Sequence, residues 1–248
     1  MDRLVYTALT GLQRSWEAQA VTAHNIANAA TPGFRREMAA LAHGWLAPPP
    51  GAAPLATRVQ SGGEAPHDLL AAGRIETTGN PLDIALNGGA WLAVEDASGG
   101  EGLTRRGDLR FNAEGRLFTG DGRAVLGEEG PIQLAATAAS VRIARDGTIE
   151  AQAAPDAPFV AVARLRLVSP DPATLARSAD GLFRTPEPLP PDPTATVTTG
   201  ALEQSNVAPA AALVELIDQS RRFEFQTRLI ATARELDEGS ARLMRVEG

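Results

Sequence analysis

The chain has 248 residues, 44% hydrophobic and 21% charged, which is enough apolar material for a substantial core and argues against wholesale disorder. Its formal net charge of −7 excludes general nucleic-acid binding, which needs a basic footprint. All 23 basic residues are arginine and cysteine is absent, so a Walker lysine, a Schiff-base lysine, a thiolate nucleophile and a cysteine-based zinc site are excluded together.

The N-terminal stretch reads as one amphipathic helix from Asp2 to Ala30, stopped by Ala30-Thr31-Pro32-Gly33. Along it Val5, Leu9, Leu12, Trp16, Gln19, Ala23, Ile26 and Ala30 alternate spacings of four and three, the period of a side-by-side helix pair. Phe34 to Trp45 suits a short helical or extended piece. Residues 47–73 begin with Pro, Gly and Ala in the proportions of an extended arm.

From about Arg74 the period changes to two. Leu82, Ile84 and Leu86 alternate with Asp83, Ala85 and Asn87, and short apolar runs follow at Trp91–Val94, Leu109–Phe111, Arg116–Phe118, Val141–Ile143 and Thr148–Ile149. Turn signals such as Gly88-Gly89, Asp121-Gly122 and Asp146-Gly147 separate them, the pattern of a small antiparallel β-domain. Phe159 to Val168 is the longest strand candidate, and Pro186 to Pro193 closes the region. A C-terminal helix follows, with Asn206 as its expected cap. Here Phe225, Leu229, Thr232, Leu236, Gly239, Leu243 and Val246 repeat the four-and-three alternation. Leu216, Phe223 and Ile230 form one stripe and Leu229, Leu236 and Leu243 a neighbouring one, a face wider than one partner helix requires. The expected organisation is a helix and turn segment over 1–46, the arm over 47–73, the β-domain over 74–198 and the second helix over 199–248, an α+β fold.

Chemistry is sparse. Asp83, Asp108, Asp121 and Asp146 sit in or beside turns, where aspartate bonds the local backbone. His24, His43 and His67 lack metal-pair spacing, the serines lack a nucleophile elbow, and no glycine-rich loop joins a strand to a helix. No catalytic, cofactor-binding or metal-ligating residue is expected, and no enzyme. No run of apolar residues is long enough to span a bilayer, so direct membrane insertion is not expected. The opening residues lack a basic-then-apolar secretory pattern, so the expectation is a cytoplasmic protein or one exported without a cleavable signal.

One string stands apart: His24-Asn25-Ile26-Ala27-Asn28-Ala29-Ala30-Thr31-Pro32-Gly33-Phe34-Arg35. Asparagine is a poor helix-interior residue, so two of them before a Thr-Pro-Gly turn suggest side chains tying the helix end to the loop. The string resembles the signature of the flagellar basal-body rod and hook proteins, Asn-Asn-Leu-Ala-Asn, a spacer, then Thr-Pro-Gly-Phe-Lys/Arg. Asn25, Ala27, Asn28, Thr31, Pro32, Gly33 and Phe34 match it, while His24 and Ile26 depart from it. Thr78-Gly79-Asn80-Pro81-Leu82-Asp83-Ile84 and Thr104-Arg105-Arg106-Gly107-Asp108-Leu109-Arg110-Phe111 are similar to the family's central segments. Gly200-Ala201-Leu202-Glu203-Gln204-Ser205-Asn206-Val207 and Arg221-Arg222-Phe223-Glu224 are similar to its C-terminal part, with Ser205, Asn206 and Val207 closing the motif. The Pro-rich arm and Ala151–Thr194 show little likeness.

Within the family the opening residues and length resemble proximal rod members most, with distal rod or hook-type axial members next. The resemblance implies a structural subunit whose copies stack helically into the rod and carry torque across the periplasm. Its terminal helices would pair antiparallel in a coiled-coil-like unit, with the central, mainly antiparallel β-domain between them in sequence. Implied partners are copies of itself, other proximal and distal rod proteins and the flagellar type III export apparatus, with no cofactor. The expected assembly interface is Val5, Leu9, Leu12, Trp16 and Ile26 on the first helix, and Leu216, Phe223, Leu229, Ile230, Leu236 and Leu243 on the last. A secreted carbohydrate-binding or hydrolytic β-domain is the rival of another class; it needs clustered aromatics or a carboxylate pair, and aromatics are only 4% of the chain.

Overall fold

A computed structural model of the chain describes residues 2–38, 42–45, 59–62, 67–68, 70–134, 140–155 and 157–246. They form two compact units. The first comprises residues 1–27, 37–69 and 208–248, and the second residues 28–36 and 70–207.

The first unit is built on helices α1 (Asp2–Ala27) and α2 (Pro209–Val246). The first helix stops three residues short of Ala30, because the chain turns at Asn28, where the Asn28 carbonyl accepts the Thr31 N–H at 3.0 Å. The second helix opens on Pro209, which sits where a missing N–H is harmless and its fixed φ suits the helix. Asn206 is therefore not its cap, and Ala201–Glu203, expected within the helical part, is a strand. The arm is not simply extended either. Val59–Gly62 pairs antiparallel with Ala42–Trp45, and His67–Asp68 with Glu37–Met38. The arm positions 47–58, 63–66 and 69 lie outside the described residues.

Every strand pairing described in the second unit is antiparallel. Its largest sheet runs Leu167–Val168, Trp91–Glu95, Glu101–Thr104, Phe183–Arg184, Ala176–Arg177 in spatial order. Ser140–Ile143, Thr148–Gln152 and Val160–Arg164 form a second, three-stranded sheet. The long strand expected over Phe159–Val168 thus divides: its first half pairs with Thr148–Gln152, and Leu167–Val168 turns to pair with Trp91–Leu92.

Alternation along Trp91–Glu95 explains why Trp91, Leu92, Ala93 and Val94 are all buried. Leu92 and Val94 enter the main core with Ile84, Leu86, Leu117, Val125, Ile149, Leu165 and Val197. Trp91 and Ala93 face a second cluster with Leu103, Val168 and Phe183, in which the Trp91 and Phe183 rings lie 4.8 Å apart. Each fully buried Leu, Ile or Val contributes about 1.5–3 kcal/mol, which makes this core the main source of the unit's stability.

Candidate assembly site

The helices meet through a face that includes polar residues apolar spacing does not mark. Thr22 is buried, and its Oγ1 accepts a hydrogen bond from Nε2 of Gln219 at 3.0 Å. Around α1, Thr22 lies roughly a third of a turn from Trp16. Trp16 is 63% exposed and Leu9 48%, while Leu12 and Ile26 are half-buried. A similar division marks α2. Leu216, Phe223 and Ile230 are half-buried on the side of Gln219, whereas Leu229 is 52% and Phe225 64% exposed on another side. Leu213, Val214 and Ile217 extend that exposed face. The two stripes on α2 therefore have different surroundings within one chain. The side chains of Val5, Leu236 and Leu243 lie outside the described residues.

The motif asparagines act as backbone substitutes. Asn25 is buried in the first unit; its Nδ2 donates to the Glu37 carbonyl at 2.7 Å and its Oδ1 accepts the Glu37 N–H at 2.9 Å. In the second unit Asn206 Oδ1 accepts the Arg36 N–H at 2.6 Å, and its Nδ2 donates to the Ala71 carbonyl at 2.8 Å. Asn28 receives the Thr31 hydroxyl, which closes the turn holding Pro32. Ser205 Oγ accepts the Val207 N–H, and Val207 is itself buried. Ala27 is the last residue of α1.

Gly33 shows why the motif needs glycine. Its φ is 70°, in the left-handed region, and a Cβ there would lie 2.4 Å from the Arg105 carbonyl. Its N–H donates to the Glu203 carbonyl at 2.7 Å. Phe34 packs its ring against the guanidinium of Arg177, 5.0 Å from its centroid, and the same guanidinium lies 4.7 Å from the Phe183 ring.

Within the second unit three charges meet that spacing rules did not mark as a site. Glu203 is buried between Arg35 and Arg105, both also buried. Its Oε1 accepts from Arg35 Nη1 and from the Gly73 N–H at 2.8 Å; its Oε2 accepts from Arg105 Nε at 2.9 Å and Nη2 at 2.5 Å. Arg105 also donates from Nη1 to the Gly88 and Ala90 carbonyls and from Nη2 to that of Leu86, so all five of its N–H donors are used. Burial pushes the Glu203 carboxyl up, but the Arg35 hydrogen bond, the Arg105 and Arg35 charges and the Gly73 N–H together hold it below the usual carboxylate range. Burial draws Arg105 down from its ordinary value against the pull of Glu203, yet a guanidinium remains charged at neutral pH. The only advance signal was an acid or arginine inside each of three matched strings.

This constellation holds segments together; it does not present a reactive group. Every oxygen of Glu203 is occupied by the chain itself. Among the described residues no group of three or more histidine, aspartate or glutamate side chains is placed to hold a metal ion. The turn aspartates are engaged locally, Asp146 with Thr148 and Asp83 with Thr78 and Asn80.

Comparison with known proteins agrees with the motif strings. Residues 5–35 match the flagella basal body rod protein family, residues 85–151 the flagellar hook protein FlgE/F/G D1 domain, and residues 198–243 the flagellar basal body rod FlgEFG protein C-terminal domain. The chain is 40% identical to the flagellar basal-body rod protein FlgF of Salmonella typhimurium, over 97% of each chain. It is 40% identical to FlgF of Escherichia coli over 94% of each. Against the flagellar basal-body rod protein FlgG of Agrobacterium fabrum identity is 29%, over 94% of this chain and 96% of the relative.

Proposed function

The chain belongs to the flagellar basal-body rod proteins and is FlgF-like, and from that premise we propose that its copies assemble helically, through the two terminal helices, into a segment of the rod that transmits torque. It is a structural protein of the flagellar basal body, not an enzyme. In the assembled rod α1 and α2 pair antiparallel, in coiled-coil fashion, as the inner layer. The outward stripes of Leu9 and Trp16 on α1, and of Phe225 and Leu229 on α2, meet other subunits.

The observation that carries this reading is the exposure of those stripes. Large apolar residues gathered on helix faces away from the intrachain contact mark a surface that a protein partner covers. Burial of such a face contributes roughly 25 cal/mol per Å². A contact that joins unlike faces generates an open helical filament when its rotation does not close into a ring. Neighbouring rod proteins, proximal and distal, are the further partners, and the type III export apparatus is the route to the periplasm.

Imaging basal bodies from a deletion strain tests the proposal. Rods truncated near their base are the expected result, and restoration requires the intact chain. Complete rods in the deletion strain refute it; loss of only the distal part moves the chain to a distal position.

A further inference from the structure

The second unit holds residues 28–36 as a bound peptide is held. Consecutive backbone groups of this segment are caught one after another: the Gly33 N–H by the Glu203 carbonyl, the Phe34 carbonyl by the Asn206 N–H, the Arg35 carbonyl by Arg177 Nη2, and the Arg36 N–H by Asn206 Oδ1. Side-chain recognition is added at three of these residues. Phe34 lies on Arg177, Arg35 enters the buried Glu203 carboxylate, and Gly33 passes so near Arg105 that no Cβ fits. Main-chain bonds for affinity with side-chain sites for selection are the physics of extended-peptide recognition.

The groups doing the holding are anchored without the segment. Glu203 is fixed by Arg105 and Gly73, Asn206 by Ala71, and Arg177 by Phe183. Neither hydrophobic cluster of the unit draws a residue from 28–36. The segment's own charge is also the less completely satisfied of the two: Arg105 uses all five donors, whereas Arg35 Nε is buried with no partner among the described residues.

We propose that residues 28–36 form a separable clip, and that the cradle of Glu203, Asn206 and Arg177 is a binding site for this Thr-Pro-Gly-Phe-Arg segment in general. It is filled here by the chain's own clip and open to that of a second copy when its own is withdrawn. Exchange of an identical element between protomers needs no new contact, since each bond is already made within one chain. The proposal stands on the second unit alone and does not depend on rod assembly, so peptide binding and motility fail separately.

The test is titration of a labelled peptide spanning residues 28–37 onto the full chain and onto its Gly33→Val variant. The valine cannot take the left-handed conformation or the space beside Arg105, so the variant's own clip leaves a cradle whose residues are unchanged. With the cis competitor removed, the variant binds the peptide at least about tenfold more tightly than the parent. Peptides carrying Phe34→Ala or Arg35→Gln bind weakly, and adding Glu203→Gln to the variant abolishes binding. Circular dichroism and a cooperative melt of the Gly33→Val chain report whether the β unit stands without the clip. A folded variant that does not bind, equal binding by parent and variant, or collapse of the β unit in Gly33→Val each overturns the proposal.

Discussion

Arg105 and Glu203 meet across 98 positions of sequence, the guanidinium placing Nε at 2.9 Å and Nη2 at 2.5 Å on a single carboxylate oxygen. Arg35 reaches the other oxygen from 168 positions away. Burying such charges is expensive, and a buried ion pair adds little net stability over an apolar substitute. What it does firmly is penalise every arrangement in which one partner is missing. Three segments distant in sequence are thereby forced to one place.

Glu203→Gln keeps the shape and removes the only negative charge between the two arginines. A loss of about 3–5 kcal/mol in unfolding free energy is expected, because two buried guanidinium groups are left without a counter-charge. Denaturant melts of parent and variant measure it. A loss below about 1 kcal/mol would show that the site is solvated.

The same group sets an acid dependence. Glu203 is held below its ordinary value of 4.5, so its contribution is fully present above that pH and is lost as pH falls through the lower native value. The stability difference between the parent and Glu203→Gln therefore narrows on acidification below about pH 4.5. Melts across an acid series test this, and a difference that stays constant contradicts it.

Asn25→Ala and Asn206→Ala each strand a backbone N–H and a carbonyl, of Glu37 in one case and of Arg36 and Ala71 in the other. About 1–3 kcal/mol is expected for each unsatisfied buried group, less where water reaches it. Asn25 is the more deeply buried of the two, so Asn25→Ala should show the larger loss on thermal denaturation.

Arg184 supplies a contrast. It bonds Asp180 and Asp96 and joins a chain of partly exposed pairs that continues through Arg123, Asp121, Arg106 and Asp108. These charges are screened by water and salt, so Arg184→Ala is expected to lose under about 1 kcal/mol despite its short contacts. Chemical denaturation at low and high salt checks both parts, and a loss as large as that of Glu203→Gln would upset the ranking.

Local signals marked the end of the first helix to within three residues and the turns of the β unit well, because Pro32, Gly33 and the Asp-Gly pairs act within a few residues of themselves. The strings that resemble a rod-protein signature also marked residues with specific contacts, Asn25 within the first unit and Gly33, Phe34 and Asn206 within the second. What they could not show was long-range pairing. Nothing near Glu203 announces that its partners are Arg35 and Arg105. Helix faces were legible only in part. A spacing rule finds the most apolar stripe, Leu9 and Trp16, but one chain folded alone packs the side carrying Thr22, which leaves that stripe outward. Asn206 suits a helix cap because caps favour asparagine, but Ala201–Glu203 pairs as a strand and the helix begins only at Pro209.

The outward stripes carry the proposed assembly role, and Leu9→Asp and Leu229→Asp, introduced separately into the chromosomal copy, test them most directly. A charge buried in an assembled seam carries a penalty of several kcal/mol, while Leu229 is exposed in the single chain and tolerates one there. Swimming and basal-body imaging should show non-motile cells with incomplete rods, although the purified variants retain the parent's β-sheet signal and cooperative melt. Normal swimming with complete rods in both variants would contradict the assembly role assigned to these helices.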